Sequence, residues 1–399
     1  MLAHIVTKSL RQHALSTLIT AGSIALATGL LMAVWAVKDQ SMRAFTNVTG
    51  GFDAVFGPRG SELNLVLFSV FHMDKAPGTL PWADYEALRK DRRNIKTAVP
   101  IVVGDNFKNF RIVGTTTNYF GVEYQRGRRL ALQSGGREFA EGAQEAVLGS
   151  FVASRLGLRV GDVFQPYHGL EYDPSQKHEA DYLVVGILKA SNTPADHVIW
   201  IPVLGAQNMP GHRAEAATDI SAVLLQFNSA AQGPMFADQV NKGTRDKTVA
   251  MIAPTVTRFF QRFEWLRVVL GAMAALVALV GAGGILASLY NTLNERRREL
   301  AILRALGARR TTVFGAMVLE AATISVLGVL GGFAVYAVCV GAAAHFVRQH
   351  TGVVIDPWEA SAVFIVAPVG IVIAGAAAGV LPAIKAYQTD VAENLVPHS

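Results

Sequence analysis

The segment Asn294–Arg310, NERRRELAILRALGARR, sets six arginines between two long uncharged runs, and it limits the possible folds more than any other stretch. A cluster of arginines in a short loop between membrane-length apolar segments belongs on the cytoplasmic side of a bilayer. Leu300, Leu303 and Leu306 recur at near-helical spacing, so the loop reads as a short amphipathic helix. Glu295 and Arg298 stand three apart and can pair on its outer face, and Gly307 supplies a stop signal. A charged helix with one apolar stripe at that face calls for a protein groove or the lipid surface.

The flanking runs meet the length requirement. A bilayer needs roughly 20 apolar residues, and Ala14–Val37, Val268–Asn294, Thr311–Ala344 and Ala360–Ile384 all reach it. With 51% hydrophobic residues and a mean hydropathy of +0.32, the chain is not expected to be a soluble globule. The fold class expected is an α-helical membrane protein with four transmembrane helices. A cleaved signal peptide, with Ala36 at the cleavage position, is the rival reading of the first run. That run is longer than the usual ~7–15-residue signal core. The net charge is +6, but the arginines gather at membrane boundaries, which sets topology and gives no support to nucleic-acid binding. Cys339 is the single cysteine, so no disulfide forms within the chain.

Lys8 and Arg11 precede the first run and Lys385 follows the last, so these flanks and the arginine loop all face the cytoplasm. Both termini are then cytoplasmic, and Lys38–Arg267 and the 345–359 loop lie outside. The expected division is 1–40 for the amino terminus and first helix, 41–253 for an extracytoplasmic domain, and 254–294 for a stalk and second helix. The remainder divides into the cytoplasmic helix 295–310, helix 311–344, outer loop 345–359, helix 360–384 and tail 385–399. Helical character beginning near Pro254 and running to Asn294 would span ~60 Å at about 1.5 Å per residue, roughly twice the hydrocarbon thickness.

The large segment between helices one and two reads as a mixed α+β domain. Short apolar runs bounded by glycine and proline predict strands at Thr97–Val103, Phe110–Val113, Tyr182–Leu188, His197–Val203 and Ala222–Phe227. Helices are predicted at Trp82–Arg92 and Gln144–Leu156, and loops at Gln133–Gly142 and His168–Ala180. The apolar run Leu63–Phe71 is either a buried core element or a substrate- or lipid-facing surface. His168, Tyr172, Asp173, His178, Glu179 and Asp181 are metal-ligating types, but their spacing matches no compact zinc or calcium signature. They read as a solvated loop, and no metal or catalytic residue is assigned. No nucleophile elbow, HExxH pair or GxxxxGK[ST] loop occurs in the 399 residues. ATP binding by the usual phosphate loop would therefore fall to another chain.

Gly328 with Gly332, and Gly375 with Gly379, form small-xxx-small patterns suited to close helix packing. Glu320 is an ionisable side chain within a membrane segment, which usually faces a bundle interior or a wet cavity. A hydrogen bond to a neighbouring helix and a place near the cytoplasmic interface are both open to it.

One amino-terminal helix, a large external domain and three further helices resemble the permease subunits of the MacB/FtsX/LolCE-type ABC transporter superfamily. The run Glu295–Arg310 is similar to that family's ERRREIAILRALGA signature, and the resemblance spans the whole chain. Thr20–Ala27 resembles the family's first helix. Val147-Leu148-Gly149-Ser150, Leu156-Gly157 and Val160-Gly161 resemble its periplasmic core, with Tyr182–Leu188 as the strand that follows. Glu320 with Gly328, Gly331 and Gly332 matches its third helix, and Pro382, Ala386, Asp390 and Leu395 its carboxyl-terminal tail. Val391 stands where proline is usual, and Ala14-Leu15 replaces a commonly basic pair.

The resemblance implies a permease without a fused ATPase, in the bacterial inner membrane. It would pair with a second copy or a homologous permease and with separate ATPase subunits, to which ATP and Mg bind; this chain itself binds no cofactor and is not an enzyme. Glu295, Arg296, Arg297, Arg298, Glu299, Leu300, Ile302, Leu303, Arg304, Leu306 and Gly307 would form the coupling helix in an ATPase groove. Hydrolysis would move helices one and two and, through their stalks, the external domain. That motion would serve export or the extraction of a lipid, lipoprotein or small molecule, with a periplasmic adaptor and membrane lipid as further partners. The alternatives are FtsX-like signalling to an extracytoplasmic partner and a membrane-anchored enzyme or binding module without an ATPase.

Overall fold

The computed structural model describes residues 2–47, 50–209, 218–262, 264–295, 309–351, 356–359 and 361–388. They fall into two units, one of 1–40, 263–346 and 355–399, the other of 41–262 and 347–354.

In the first unit, α1 (Leu2–Gln12) precedes α2 (Ala14–Asn47). Three long helices follow, α3 (Glu264–Glu295), α4 (Arg310–Thr351) and α5 (Val363–Gln388). Among the described residues three stretches are long and apolar enough to cross a membrane, Ala14–Gln40, Thr311–Val347 and Val363–Ile384. Large apolar side chains face outward on them, including Leu18, Leu30, Leu330, Val338 and Ile373. In water such a surface would be untenable, and against lipid tails it carries no penalty. Pro368 and Pro382 lie inside α5, where each removes one backbone donor, a change membrane helices tolerate. The sequence reading did not anticipate α1. Its Val6 and Ser9 are buried while Thr7 and Lys8 are exposed, so it is amphipathic over barely three turns.

The second unit is a mixed α/β domain built on one ten-stranded sheet. Its strands are β1 (Ala54–Pro58), β2 (Ile95–Phe107), β3 (Phe110–Thr115), β4 (Glu145–Leu148), β5 (Val163–Phe164), β6 (Tyr167–His168), β7 (Tyr182–Ile187), β8 (Val198–Pro202), β9 (Ala222–Phe227) and β10 (Lys247–Met251). The order is β10-β1-β9-β2-β3-β8-β4-β7-β5, with β6 on β2. Only the β3–β8 and β4–β7 pairs are parallel. The 13-residue β2 spans the sheet's two halves, pairing with β9 up to Ile101 and with β3 from Val102 on.

Strands covered on both faces are apolar nearly throughout, as in the all-buried Val198-Ile199-Trp200-Ile201-Pro202 of β8. Trp200 is fully buried against Tyr119, 4.3 Å between ring centroids, and donates its indole N–H to the Ala195 carbonyl at 3.2 Å. The run Leu63–Phe71 resolves as a core helix, Glu62–Ser69, capped by the Ser61 hydroxyl and burying Leu65, Val66 and Phe68.

The chain comes into this sheet and leaves it by neighbouring strands. Ala54 to Pro58 of β1 pair antiparallel with Met251 to Lys247 of β10. One residue further out, the Ile252 N–H donates to the Asp53 carbonyl at 3.0 Å. A helix, Ile252–Arg262, follows β10 directly.

Two expectations are corrected. Gln144–Leu156 is not one helix: Glu145–Leu148 is the inner strand β4, and only Ser150–Leu156 is helical. The break is Gly149, whose N–H donates to the Val198 carbonyl at 2.8 Å. The Asp196 and Ala195 carbonyls crowd the place where a β-carbon would stand, so the glycine admits a close backbone approach. A short buried apolar run has no periodicity that separates strand from helix. Nor are the metal-ligating types at 168–181 a wholly solvated loop: His178 is buried, beside Asp105.

Candidate functional site

The residues proposed for ATPase coupling at 296–307 lie outside the described residues, and Glu295 is the last residue of α3. Glu320, Gly328, Gly332, Gly375 and Gly379 all lie in described helices.

Glu320 sits ten residues into α4, about 15 Å along it at 1.5 Å per residue. It is 8% exposed, and the buried Ser9 hydroxyl of α1 donates to its Oε1. Leu10 and Ala321, next in sequence to Ser9 and Glu320, belong to one apolar core with Ile24, Ile324, Ala21, Ile371 and Ala378. Residues from α1, α2, α4 and α5 thus meet beside one carboxyl group. A buried carboxyl is tolerable only with hydrogen-bond donors, and Ser9 supplies one. Sequence reading missed Ser9, since nothing local marks a serine in a short basic helix as a partner for a residue 311 positions later.

Next to this pair, α2 and α4 are in backbone contact. A β-carbon added at Gly328 would lie 2.6 Å from the Ile24 Cβ, and one at Gly332 would lie 2.7 Å from the Thr28 Cβ. The converse holds on α2, where a β-carbon at Gly29 would lie 2.7 Å from the Gly332 carbonyl oxygen. Only missing side chains allow this approach. The hydroxyls in the seam are satisfied locally: Thr28 donates to the Ile24 carbonyl at 2.7 Å and Ser325 to the Ala321 carbonyl at 2.9 Å. Gly375 and Gly379 are likewise buried on α5.

A second group of polar contacts ties the opposite ends of these helices. Lys38 near the end of the α2 span pairs with Glu264 at the start of α3, at 3.2 Å. Gln40 donates to the Asp356 carbonyl at 2.7 Å, and the buried Tyr336 donates its hydroxyl to the Pro357 carbonyl at 2.6 Å. Pro357 and Asp356 belong to the connection between α4 and α5. Polar bonds thus tie α1 to α4 at one end of the bundle and α2 to α3 and to the α4–α5 connection at the other, with the glycine seam between α2 and α4.

The α/β domain has an open cleft of about 790 Å³ whose lining includes Arg89, Arg92, Lys96, Arg129, Glu123 and Glu138. Its walls are mainly polar, with four cationic side chains against two carboxylates. Elsewhere on the domain Arg137 grips Glu145 with both guanidinium nitrogens, at 2.7 and 2.5 Å, and that hydrogen bonding holds the Glu145 carboxyl below its ordinary range.

The MacB-like periplasmic core domain family matches residues 14–243, and the FtsX-like permease C-terminal family matches residues 271–391. Among curated proteins the chain is similar to the pyoverdine export ATP-binding/permease protein PvdT of Pseudomonas aeruginosa, 30% identical over 52% of this chain and 32% of that protein. PvdT of Pseudomonas fluorescens is 29% identical over 62% of this chain and 37% of its own length. The macrolide export ATP-binding/permease protein MacB of Azoarcus sp. is 28% identical over 55% and 34%. The chain thus spans about a third of the length of these relatives. A match to the MacB-like periplasmic core domain over more than half of the chain, followed by one to the FtsX-like permease C-terminal region, places this chain in the family of MacB-like, FtsX-like membrane permeases.

Proposed function

We propose that this chain is the permease subunit of an ABC transporter that turns ATP hydrolysis on a partner ATPase into motion of its external domain. The α2–α4 seam carries this reading, because it couples the helix that leads into the external domain to the helix that follows the arginine loop. In this reading α3 is the fourth membrane span, consistent with its 32-residue length and its uncharged run from Val268 to Asn294. The arginine loop and both termini face the cytoplasm of a bacterial inner membrane, and 41–253 faces outward, with a stalk from 254 leading to α3.

Residues Glu295–Gly307 serve as the coupling helix, their leucines in an ATPase groove and their arginines against its acidic rim. A second copy or a homologous permease completes the assembly, with a periplasmic adaptor and membrane lipid as further partners. ATP and Mg bind the ATPase, in keeping with the lack of a GxxxxGK[ST] loop in this sequence. The relatives named for pyoverdine and macrolide export favour export over signalling as the outcome of the motion.

Affinity purification from native membranes in mild detergent tests the reading. Stoichiometric recovery of a Walker-motif ATPase with the wild-type chain, and its loss with Leu303→Asp, is expected. Recovery of intact, monodisperse chain alone, or an ATPase retained undiminished by Leu303→Asp, would overturn the assignment of subunit or of coupling helix respectively.

A further inference from the structure

We propose that Asp105, His168 and His178 form a binding site for a divalent transition-metal ion of the zinc class on the external domain. Their Oδ and imidazole nitrogen atoms all lie within 4.8 Å of one another. From Asp105 Oδ1, His178 Nε2 is 3.1 Å away and His168 Nδ1 is 3.4 Å away. Ligand atoms held tetrahedrally at about 2.0–2.1 Å from zinc stand roughly 3.3–3.4 Å apart. One of these separations already falls in that range and the other lies about 0.2 Å below it, and the imidazoles, 5.5 Å apart between centroids and 78° from coplanar, can converge by side-chain rotation.

Backbone pairing builds this cluster. Asp105 and His168 are register partners across the antiparallel β2–β6 ladder, so their side chains leave the same face. The chain after β6 turns back on itself, with the His168 N–H donating to the Gln176 carbonyl and the His178 N–H to the Pro166 carbonyl. That return carries His178 alongside His168. Asn106, the neighbour of Asp105, fastens the turn from beneath by donating to the Gly169 carbonyl at 2.9 Å and the Glu171 carbonyl at 3.0 Å. The frame is thus fixed without an ion, and the donors need little reorganisation to accept one.

Burial is graded in the way a reachable site requires. The side chains of Asp105 and His178 are 4% and 5% exposed, while that of His168 is 52% exposed. An ion would enter over His168 and keep one coordination position toward solvent, for water or a donor atom from a solute. Two imidazoles and one carboxylate suit zinc and its borderline neighbours better than calcium or magnesium, which take all-oxygen shells. The inference does not depend on the transport reading.

The test uses tag-free, full-length protein in detergent, stripped with chelator and dialysed to equilibrium against Zn²⁺, with bound metal measured by mass spectrometry. One zinc per chain is expected. His168→Ala, an exposed change that spares the fold, should weaken binding by at least the ~10–100-fold that even outer-shell losses cost. His178→Ala should do the same if it folds, and Co²⁺ in place of zinc should give the visible absorption of a four-coordinate nitrogen–oxygen site. Zinc uptake below one per chain at saturation, or binding unchanged by His168→Ala, would overturn the proposal and leave a hydrogen-bonded His–Asp–His cluster.

Discussion

Ser9 donates a hydrogen bond to Glu320, 311 residues further along the chain, and both groups are buried. This bond ties the short amino-terminal helix α1 to α4 inside the helical unit. Ser9→Ala withdraws one donor from a buried carboxyl group, a loss of about 1–3 kcal/mol. Melting of the purified protein in detergent should fall by several degrees (about 2–4 °C per kcal/mol for units of this size), and Ser9→Thr should restore most of it. A Ser9→Ala protein that melts with the wild type would show that Glu320 does not depend on this bond.

The glycine seam predicts a graded series. Gly332→Val places a β-carbon 2.7 Å from the Thr28 Cβ, inside contact distance, so it should force α2 from α4 and cost roughly 1–3 kcal/mol or more. Gly331→Ala, whose β-carbon would be 3.0 Å from the Ala25 Cβ, should be milder. Gly341→Ala meets nothing within 4 Å and should be neutral or gain up to ~1 kcal/mol of helix propensity. Disulfide cross-linking between cysteine pairs placed on α2 and α4 reads the separation directly. Equal behaviour of all three variants would deny the seam any role.

His72 should make the α/β domain sensitive to acid. It lies buried against Trp200, 5.3 Å between centroids, and neither ring nitrogen has a hydrogen-bond partner among the described residues. Burial first, and the Arg111 guanidinium second, push its pKa down from 6.5 to about 3. Below pH 6.5 the unfolded chain takes up a proton that the folded state refuses. The stability from this group is therefore complete above pH 6.5 and declines by about 1.4 kcal/mol per pH unit toward pH 3. His72→Phe should flatten that slope, and melting curves at pH 7.5, 6 and 5 would measure the difference. Parallel pH profiles for the two proteins would rule the mechanism out.

The proposed topology has a simple chemical test. Ser175 is exposed on the α/β domain and Cys339 is the single native thiol. In a Cys339→Ala background, Ser175→Cys should react with a membrane-impermeant thiol reagent in intact spheroplasts. Reaction only after lysis would invert the orientation.

Elements with strong local signatures were legible in the sequence. The strand Ala222–Phe227 and the helix starting at Trp82 stand where apolar runs, glycine and proline set them. The first long helix, α2, covers the whole apolar run Ala14–Val37 and continues to Asn47. Features made by long-range pairing were not legible. Glu145–Leu148 is a strand because β7 and β8 flank it, and its own four residues cannot express that. Asp105 lies 73 positions before His178, so nothing local joins it to the ligand types around His168, and only the β2–β6 ladder brings them together. Ser9 and Glu320 were separated in the same way. Sequence periodicity reports which face of an element is apolar, and says nothing about which distant element will meet it.

Under the proposed mechanism, Asp53 and Ile252, bonded to each other at 3.0 Å, are also the two places where force would reach the α/β domain. Because β1 and β10 run antiparallel from that point, opposed pulls on the two residues would open the pairs from Ala54–Met251 onward one at a time, like a zip. A pull shared by both would leave every one of those pairs unstressed. On this geometry a motion that separates the two tethers would load the β1–β10 pairs in turn, while one that moves them as a couple would not load them. Such a body answers a concerted stroke by tilting or shifting whole, and a stroke applied to one tether alone would be spent on its outermost strands.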